Sequence, residues 1–263
     1  MNTQSPVPQR LWPRRLVRIG LWFLGGAIVL LILDGPLYRM GIMPLVPALL
    51  VLVLAIIVTL ISFVLLVTGV LGARATSSEG AGLVALVALV ACTAMAMNFG
   101  LLVKRAVSAP PIHDISTDLD DPPDFADVVP LRDKAGALNP HEYVREAPGR
   151  KGTTINVPEA QRKAYPDIQT ARLEMFTSEA FEAADRAARK MGWDIVASVP
   201  SEGRIEATDT SGYFGFKDDI SIRVRADGPH SKVDVRSTSR VGVGDVGANA
   251  ARIRDYLEEL EKS

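Results

Sequence analysis

Two long runs without a charged side chain constrain this sequence more than any other feature. They cover residues 40–73 and 80–103, which is 34 and 24 residues. A helix needs about 20 apolar residues to cross the hydrocarbon core of a bilayer. The prolines of the first run, Pro44 and Pro47, lie near its start, where proline disturbs a helix least. The sequence therefore predicts membrane-spanning helices at about residues 44–71 and 81–103.

A third apolar run, residues 19–33, is shorter and allows two interpretations. It holds 15 residues between Arg18 and Asp34, and it is long enough if a helix spans about residues 16–37 with Arg18 extended toward the interface. The alternative is a cleaved signal peptide, since arginines precede an apolar core. No small-residue cleavage site follows the run. We therefore predict an uncleaved first span and a three-helix membrane anchor over residues 1–105.

The net charge of -1 conceals two unlike halves. Residues 1–105 carry 8 basic and 2 acidic side chains, whereas residues 106–263 carry 21 basic and 28 acidic ones. This distribution excludes a basic nucleic-acid-binding protein, and a hydrophobic content of 48% excludes a disordered chain. We expect no nucleic-acid partner, and we expect the lipid bilayer as the first partner.

Loop charges predict the orientation, because basic residues favour the cytoplasmic side. With three spans, the N-terminal tail and the loop at 73–80 lie on one side and carry more basic side chains than the other side. The five on the first side are Arg10, Arg14, Arg15, Arg18 and Arg74, and the three on the other are Arg39, Lys104 and Arg105. We expect a multi-pass protein of the inner (cytoplasmic) membrane, with a cytoplasmic N-terminus and a periplasmic or otherwise extracytoplasmic C-terminal domain.

Residues 106–166, called the arm below, are rich in proline and acidic side chains. The arm contains nine prolines and little apolar periodicity. Proline interrupts helices and biases the preceding residue toward extended backbone. The sequence predicts an extended arm or linker, part of which wraps the domain that follows.

Residues 167–263 show the periodicity of an α+β domain. The pattern predicts a strand, a helix capped by Ser178, four strands and a last helix, in that order. Short turns between consecutive strands imply an antiparallel sheet, with both helices on one face. The predicted fold class is an N-terminal α-helical membrane bundle followed by this α+β domain.

Alternation along the predicted strands places arginines on the face opposite the helices. One interpretation is a solvated face of cross-strand pairs, or a face covered by the acidic arm. The other is a docking face for an anionic group, such as a lipid head, a cell-wall carboxylate or an envelope protein. An apolar loop lies at its rim. The candidate binding residues are Arg204, Arg223, Arg225, Arg236, Arg240, Phe214 and Phe216.

The start of the arm carries a second set of candidate residues. They are His113, Asp114, Asp118, Asp120 and Asp121. Their spacing matches no calcium-binding loop, so we expect no metal, and we assign no catalytic residue. The glycines at 242, 244 and 247 resemble a nucleotide fingerprint, but Asp245 would repel a phosphate there. We expect Asp245 to cap the last helix instead, and we expect neither a nucleotide nor another cofactor.

Several separate motifs of the second half occur in the order seen in one bacterial envelope family. They are IHDISTD at 112–118, DDPPDF at 120–125, GRIEA at 203–207, FGFKDD at 214–219, VDVRS at 233–237 and SRVG at 239–242. The chain resembles the membrane-anchored version of the domain of unknown function 1499. The resemblance implies a membrane-linked protein without an assigned reaction. We expect a binding or assembly role with the contact surface on the α+β domain; the alternative is an envelope hydrolase that uses His113 and nearby carboxylates.

Overall fold

The computed structural model describes residues 12–75, 83–149 and 152–262. It divides into two compact units, Met1–Lys104 and Arg105–Ser263. Arg10, the side chain of Arg74 and most of the loop at 73–80, on which the predicted orientation depends, lie outside the described residues.

Three long apolar helices confirm the predicted N-terminal bundle. They are α1 (Trp12–Arg39), α2 (Leu45–Ala75) and α3 (Leu83–Ser108). Each is long and apolar enough to cross a membrane. All three end beyond the predicted C-terminal bounds, and α1 also begins earlier than predicted, because the hydrogen-bonded helix continues past the uncharged core into the flanking residues.

Small residues allow the first two helices to approach closely. A Cβ atom added to Gly69 would lie 2.7 Å from Val17 Cγ2, and one added to Gly72 would clash with the ring of Trp12. Ser62 Oγ donates a hydrogen bond of 2.8 Å to the carbonyl of Gly20. Close backbone approach and interhelical hydrogen bonds are the usual means by which helices associate in lipid.

The second unit is built on one antiparallel sheet. Its strands are β1 (Asp114–Ser116), β4 (Ala171–Leu173), β5 (Asp194–Val199), β6 (Arg204–Thr210), β7 (Lys217–Asp227) and β8 (His230–Ser239). The order is β1-β8-β7-β6-β5, and β4 also pairs with β8. From β4 onward the chain follows the predicted order of strand, helix, four strands and helix.

The helices α6 (Thr177–Lys190) and α7 (Ala248–Glu261) cover one face of this sheet. The alanines that α6 turns toward the sheet are buried together with Ile205, Ile220 and Ile222 of the strands. Phe176, rather than Ser178, precedes the helix as its cap, and no side chain bonds there. At α7, Asp245 accepts hydrogen bonds from the amides of Gly247 and Asn249, as predicted.

The arm covers the other face. It is extended only in part, because it contains the short helices α4 (Val129–Lys134) and α5 (Val157–Ala164) and a hairpin of β2 (Glu146–Pro148) and β3 (Thr154–Asn156). Its strand β1 pairs with β8, opposite residues 236–238. The sheet is therefore buried on both faces, by helices on one side and by the arm on the other.

Candidate functional site

The arginines on the arm-facing side of the sheet are mostly enclosed. Their side chains are 0% exposed at Arg236, 7% at Arg240, 19% at Arg204 and 20% at Arg223, and only Arg225 reaches 41%. An open docking face formed by all five does not exist in this structure. The alternative interpretation, a face covered by the acidic arm, matches the observed contacts.

Arg236 is the most completely enclosed of them. Its Nε and Nη2 atoms donate to the two carboxylate oxygens of Asp114 at 3.0 and 2.7 Å. It also donates to the carbonyls of Pro123 and His141, and its guanidinium lies 4.8 Å from the ring centroid of Phe125. Every one of these partners belongs to the arm, so Arg236 fastens the arm to the sheet.

A second buried pair involves an arginine that sequence reasoning missed. Asp219 accepts hydrogen bonds from Arg240 Nε at 2.8 Å and from Arg132 Nη1 at 2.6 Å. Arg132 comes from α4 and also donates to the carbonyl of Asn139. No local pattern identifies Arg132, because α4 has only six residues and its partner lies 87 positions away.

Glu206 joins the arm to β6. It is 0% exposed, and its two oxygens accept from the backbone amides of Ala126 and Val128 at 2.7 and 2.8 Å. Arg204 Nη1 donates to Glu206 at 2.6 Å and to Asp127 of the arm at 2.7 Å. Burial by itself lowers the pKa of Arg204. The hydrogen bonds to these carboxylates raise the pKa by more than burial lowers it, so its net shift is upward.

The more exposed end of the face holds Arg223 and Arg225. Both lie within 3.5 Å of Asp118, Asp121 and the fully buried Asp234. The hydrogen bond from Arg225, and then the charge of Arg223, hold the pKa of Asp121 below its usual range. Asp118 and Asp121 of the arm thus pair with Arg223 and Arg225 of the sheet.

A polar cleft opens beside this end of the face, with a volume of about 420 Å³. Arg162 of α5 and Tyr165, the residue after α5, line it. Arg225 of β7 and Lys232 of β8 also line the cleft. Asp118 and Asp120 form the wall from the arm. Burial, followed by the charge of Asp245, raises the pKa of Tyr165, so its phenol stays able to donate a hydrogen bond.

A family model described as protein of unknown function (DUF1499) matches residues 114–260. The chain belongs to this family. The comparison with curated proteins found no match. The DUF1499 match begins at the first residue of β1 and ends in α7. It therefore includes the arm from Asp114 onward as well as the sheet and its two helices.

The aromatic loop of the DUF1499 domain lies away from the polar cleft. Phe214 is 9% exposed and stacks on Phe216 with ring centroids 5.2 Å apart. Between them, Gly215 has φ +72°, which few other residues adopt. Arg225 is eight positions after Lys217 in β7. At about 3.4 Å per residue, the two are about 27 Å apart along the strand. Arg225 therefore lies at the other end of β7 from the aromatic loop, whereas the amide of Arg240 donates to the carbonyl of Lys217, the residue after Phe216.

His113 and its neighbour Asp114 lie apart from Asp118 and Asp120, which line the polar cleft. His113 lines a second, apolar pocket of about 290 Å³ together with the buried Ile112 and Val157. Asp114, which a hydrolase would pair with His113, is bound by Arg236 instead. Among the residues the structure describes, no three His, Cys, Asp or Glu side chains are grouped as metal ligands.

Proposed function

We propose that this chain is a membrane-anchored cell-envelope protein with a binding role. The polar cleft of its DUF1499 domain receives an anionic group. One observation carries the proposal. Arg162 and Lys232 both line the cleft, and within the described residues each makes one long ion pair, with Asp120 at 3.5 Å and with Asp227 at 3.4 Å.

The buried arginines are unsuited to the same role. Arg236 and Arg240 make short hydrogen bonds to carboxylates inside the domain, and removing a partner from such a pair leaves a buried charge. Arg162 and Lys232 are 60% and 45% exposed, so an incoming anion replaces water and competes with only the one long ion pair that each makes. This difference restricts the binding surface to the cleft.

The cleft favours a phosphate-bearing group. Arginine offers a planar pair of donors that matches phosphate, and lysine adds a point charge. Tyr165, Gln169 and Thr170 also line the cleft, where the amide of Gln169 donates to the carbonyl of Pro166 and the hydroxyl of Thr170 donates to Asp234. A volume of about 420 Å³ lies in the range of small-molecule sites. A lipid head and a free phosphate ester share this chemistry.

Binding is tested on the full chain in detergent, with Trp12→Phe and Trp22→Phe so that the buried Trp193 reports unfolding. Inorganic phosphate and glycerol phosphate are titrated at constant ionic strength. We expect a saturable rise of the melting temperature, because a ligand that binds only the folded state stabilises it. Arg162→Gln with Lys232→Gln should weaken both affinities by about tenfold or more, since charge-assisted hydrogen bonds are lost.

The matched control is Arg186→Gln with Lys262→Gln. These two exposed side chains pair with Glu182 and Glu258, so the control also removes two paired positive charges, but outside the cleft. It should leave both affinities unchanged. Equal affinities in the cleft variant and the control, or no saturable shift in the parent protein, would contradict the proposal. A larger saturable shift with vesicles that contain phosphatidylglycerol than with soluble glycerol phosphate would identify a lipid head as the source.

The proposed orientation has a separate test. The basic residues of the N-terminal tail support a cytoplasmic N-terminus, and three spans then carry the DUF1499 domain across the membrane. A phosphatase reporter fused after Ser263 should be active only outside the cytoplasm. Activity of a cytoplasmic reporter at the same position would reverse the assignment without affecting the cleft.

A further inference from the structure

We propose that the apolar pocket beside His113 binds the acyl chain of a membrane lipid. This pocket is separate from the polar cleft and does not depend on it. Its volume is about 290 Å³, and aliphatic side chains from three parts of the chain line it. Ile112 and Val157 are buried at its base, at 1% and 3% exposure, and Val144 and Val243 lie at its opening.

Two lining residues, Val144 and Val243, are exposed and aliphatic, and Leu138, next to the lining residue Asn139, is a third exposed aliphatic residue. Leu138 is 77% exposed, Val243 is 66% exposed and Val144 is 40% exposed. The amide of Leu138 donates to the carbonyl of Arg240, three residues before Val243, which brings these two segments together. Exposed apolar patches of this kind mark contact surfaces for membranes, proteins or apolar ligands.

The connection to α3 selects a lipid among these occupants. The pocket wall begins at Ile112, four residues after Ser108, where α3 ends. Four residues span at most about 14 Å of extended chain. The pocket is therefore held close to the end of a helix that is apolar enough to cross a membrane, and acyl chains are the abundant apolar molecules there.

The basic residues at the end of α3 agree with this assignment. Lys104 and Arg105 lie in the last part of α3, and basic residues next to a membrane helix attract anionic lipid heads. The pocket lining itself is poor in charge, with Asp114 turned to Arg236 and Glu142 exposed. A lipid would place its tail among the aliphatic side chains and keep its head outside.

The test uses the full chain reconstituted in vesicles of phosphatidylethanolamine and phosphatidylglycerol. A phosphatidylglycerol with a diazirine near the end of one acyl chain is included, and the labelled peptides are mapped by mass spectrometry after illumination. We expect labelling of residues 140–148 and 155–158 in addition to the membrane helices. Labelling confined to α1, α2 and α3 would overturn the proposal.

Two variants and a control keep the result interpretable. Ala147→Phe fills the pocket, and Val243→Ser removes the apolar side chain at its opening without touching the core. Each should reduce pocket labelling, the first by about tenfold or more, as expected for a changed apolar pocket. The control is Phe176→Ser, since Phe176 is 67% exposed and Val243 is 66% exposed. Phe176→Ser should leave the labelling of the pocket unchanged. Unchanged labelling in Val243→Ser and Ala147→Phe would refute the assignment, even if phosphate binding in the cleft persists.

Discussion

The two faces of the sheet are both buried, but they are held by different forces. The helix-facing side packs Ile220, Ile222 and Val224 against α6 and α7. The arm-facing side places Glu206, Asp219, Asp234 and Arg236 at 0% exposure. Apolar burial is proportional to the area removed from water and needs no particular partner. Buried charges instead require their partners at hydrogen-bond distance.

This difference means that the two faces should respond differently to mutation. On the helix-facing side, each removed methyl group costs a graded amount that depends on the cavity left. On the arm-facing side, removing one ion leaves the other buried and unpaired, whereas removing both is often tolerated. The three predictions below test this contrast, with the largest expected effect first.

Arg236→Met should lower the free energy of unfolding by about 3–5 kcal/mol, because Asp114 then remains buried without its cation. Asp114→Leu combined with Arg236→Met should recover most of that loss. The measurement is urea unfolding of the full chain in detergent, followed by Trp193 fluorescence in the Trp12→Phe, Trp22→Phe background.

Arg172→Met is the control for Arg236→Met. Arg172 is 62% exposed and pairs with Asp227 at 3.2 Å, so its loss should cost at most about 1 kcal/mol. If Arg236→Met costs no more than this control, or if the double variant is less stable than the single one, the arm-facing side does not depend on paired charges.

Ile222→Ala should lower the free energy of unfolding by about 3 kcal/mol, and Ile222→Val by about 1 kcal/mol. Ile222 is 0% exposed and lies opposite Val235 in the register of β7 and β8. The same unfolding assay measures both variants. A loss of equal size for Val and Ala would show that this side, too, depends on one specific contact rather than on buried volume.

Asp121→Asn should have the smallest effect, and the effect should depend on pH. The pairing with Arg225 lowers the pKa of Asp121 in the folded protein. Its stabilisation is therefore complete above the unfolded pKa of about 3.9 and is lost as pH falls through the lower, folded value. Since Asp121 is 66% exposed, the loss at neutral pH should stay below about 1 kcal/mol.

Unfolding midpoints of the parent protein and Asp121→Asn, compared near pH 7 and again well below the unfolded pKa, check this prediction. The difference should disappear in acid, and added salt should reduce it at neutral pH, because exposed pairs are screened. A difference that grows with acidification would mean that Asp121 is not held as a paired carboxylate.

Much of the fold was predictable because its signals are local. Uncharged runs indicated the three membrane helices, and alternation at Ile220, Ile222 and Val224 indicated which side of β7 faces α6 and α7. The path of the arm was harder to predict, since α4 is six residues long and β1 is three. Such short elements form because they pack on the sheet, not because of their own propensity.

The candidate site was predictable only as a set of charges. Sequence placed Arg223, Arg225 and Arg236 on one side of the sheet, and it suggested that the acidic arm covers them. It did not predict that Arg162 and Lys232 line one cleft, or that Arg132 binds Asp219. Those partners come from different elements, so no spacing along the chain reports them.

By itself, the sequence determined where apolar length is sufficient to cross a membrane and which strand residues alternate between the two sides of the sheet. Only the tertiary structure decided which cation each carboxylate meets. Asp114 and Arg236 are 122 positions apart, and Asp121 and Arg225 are 104 apart. Hydropathy and periodicity act over a few residues, whereas charge pairing depends on distance in space, and the arm's path over the sheet sets that distance.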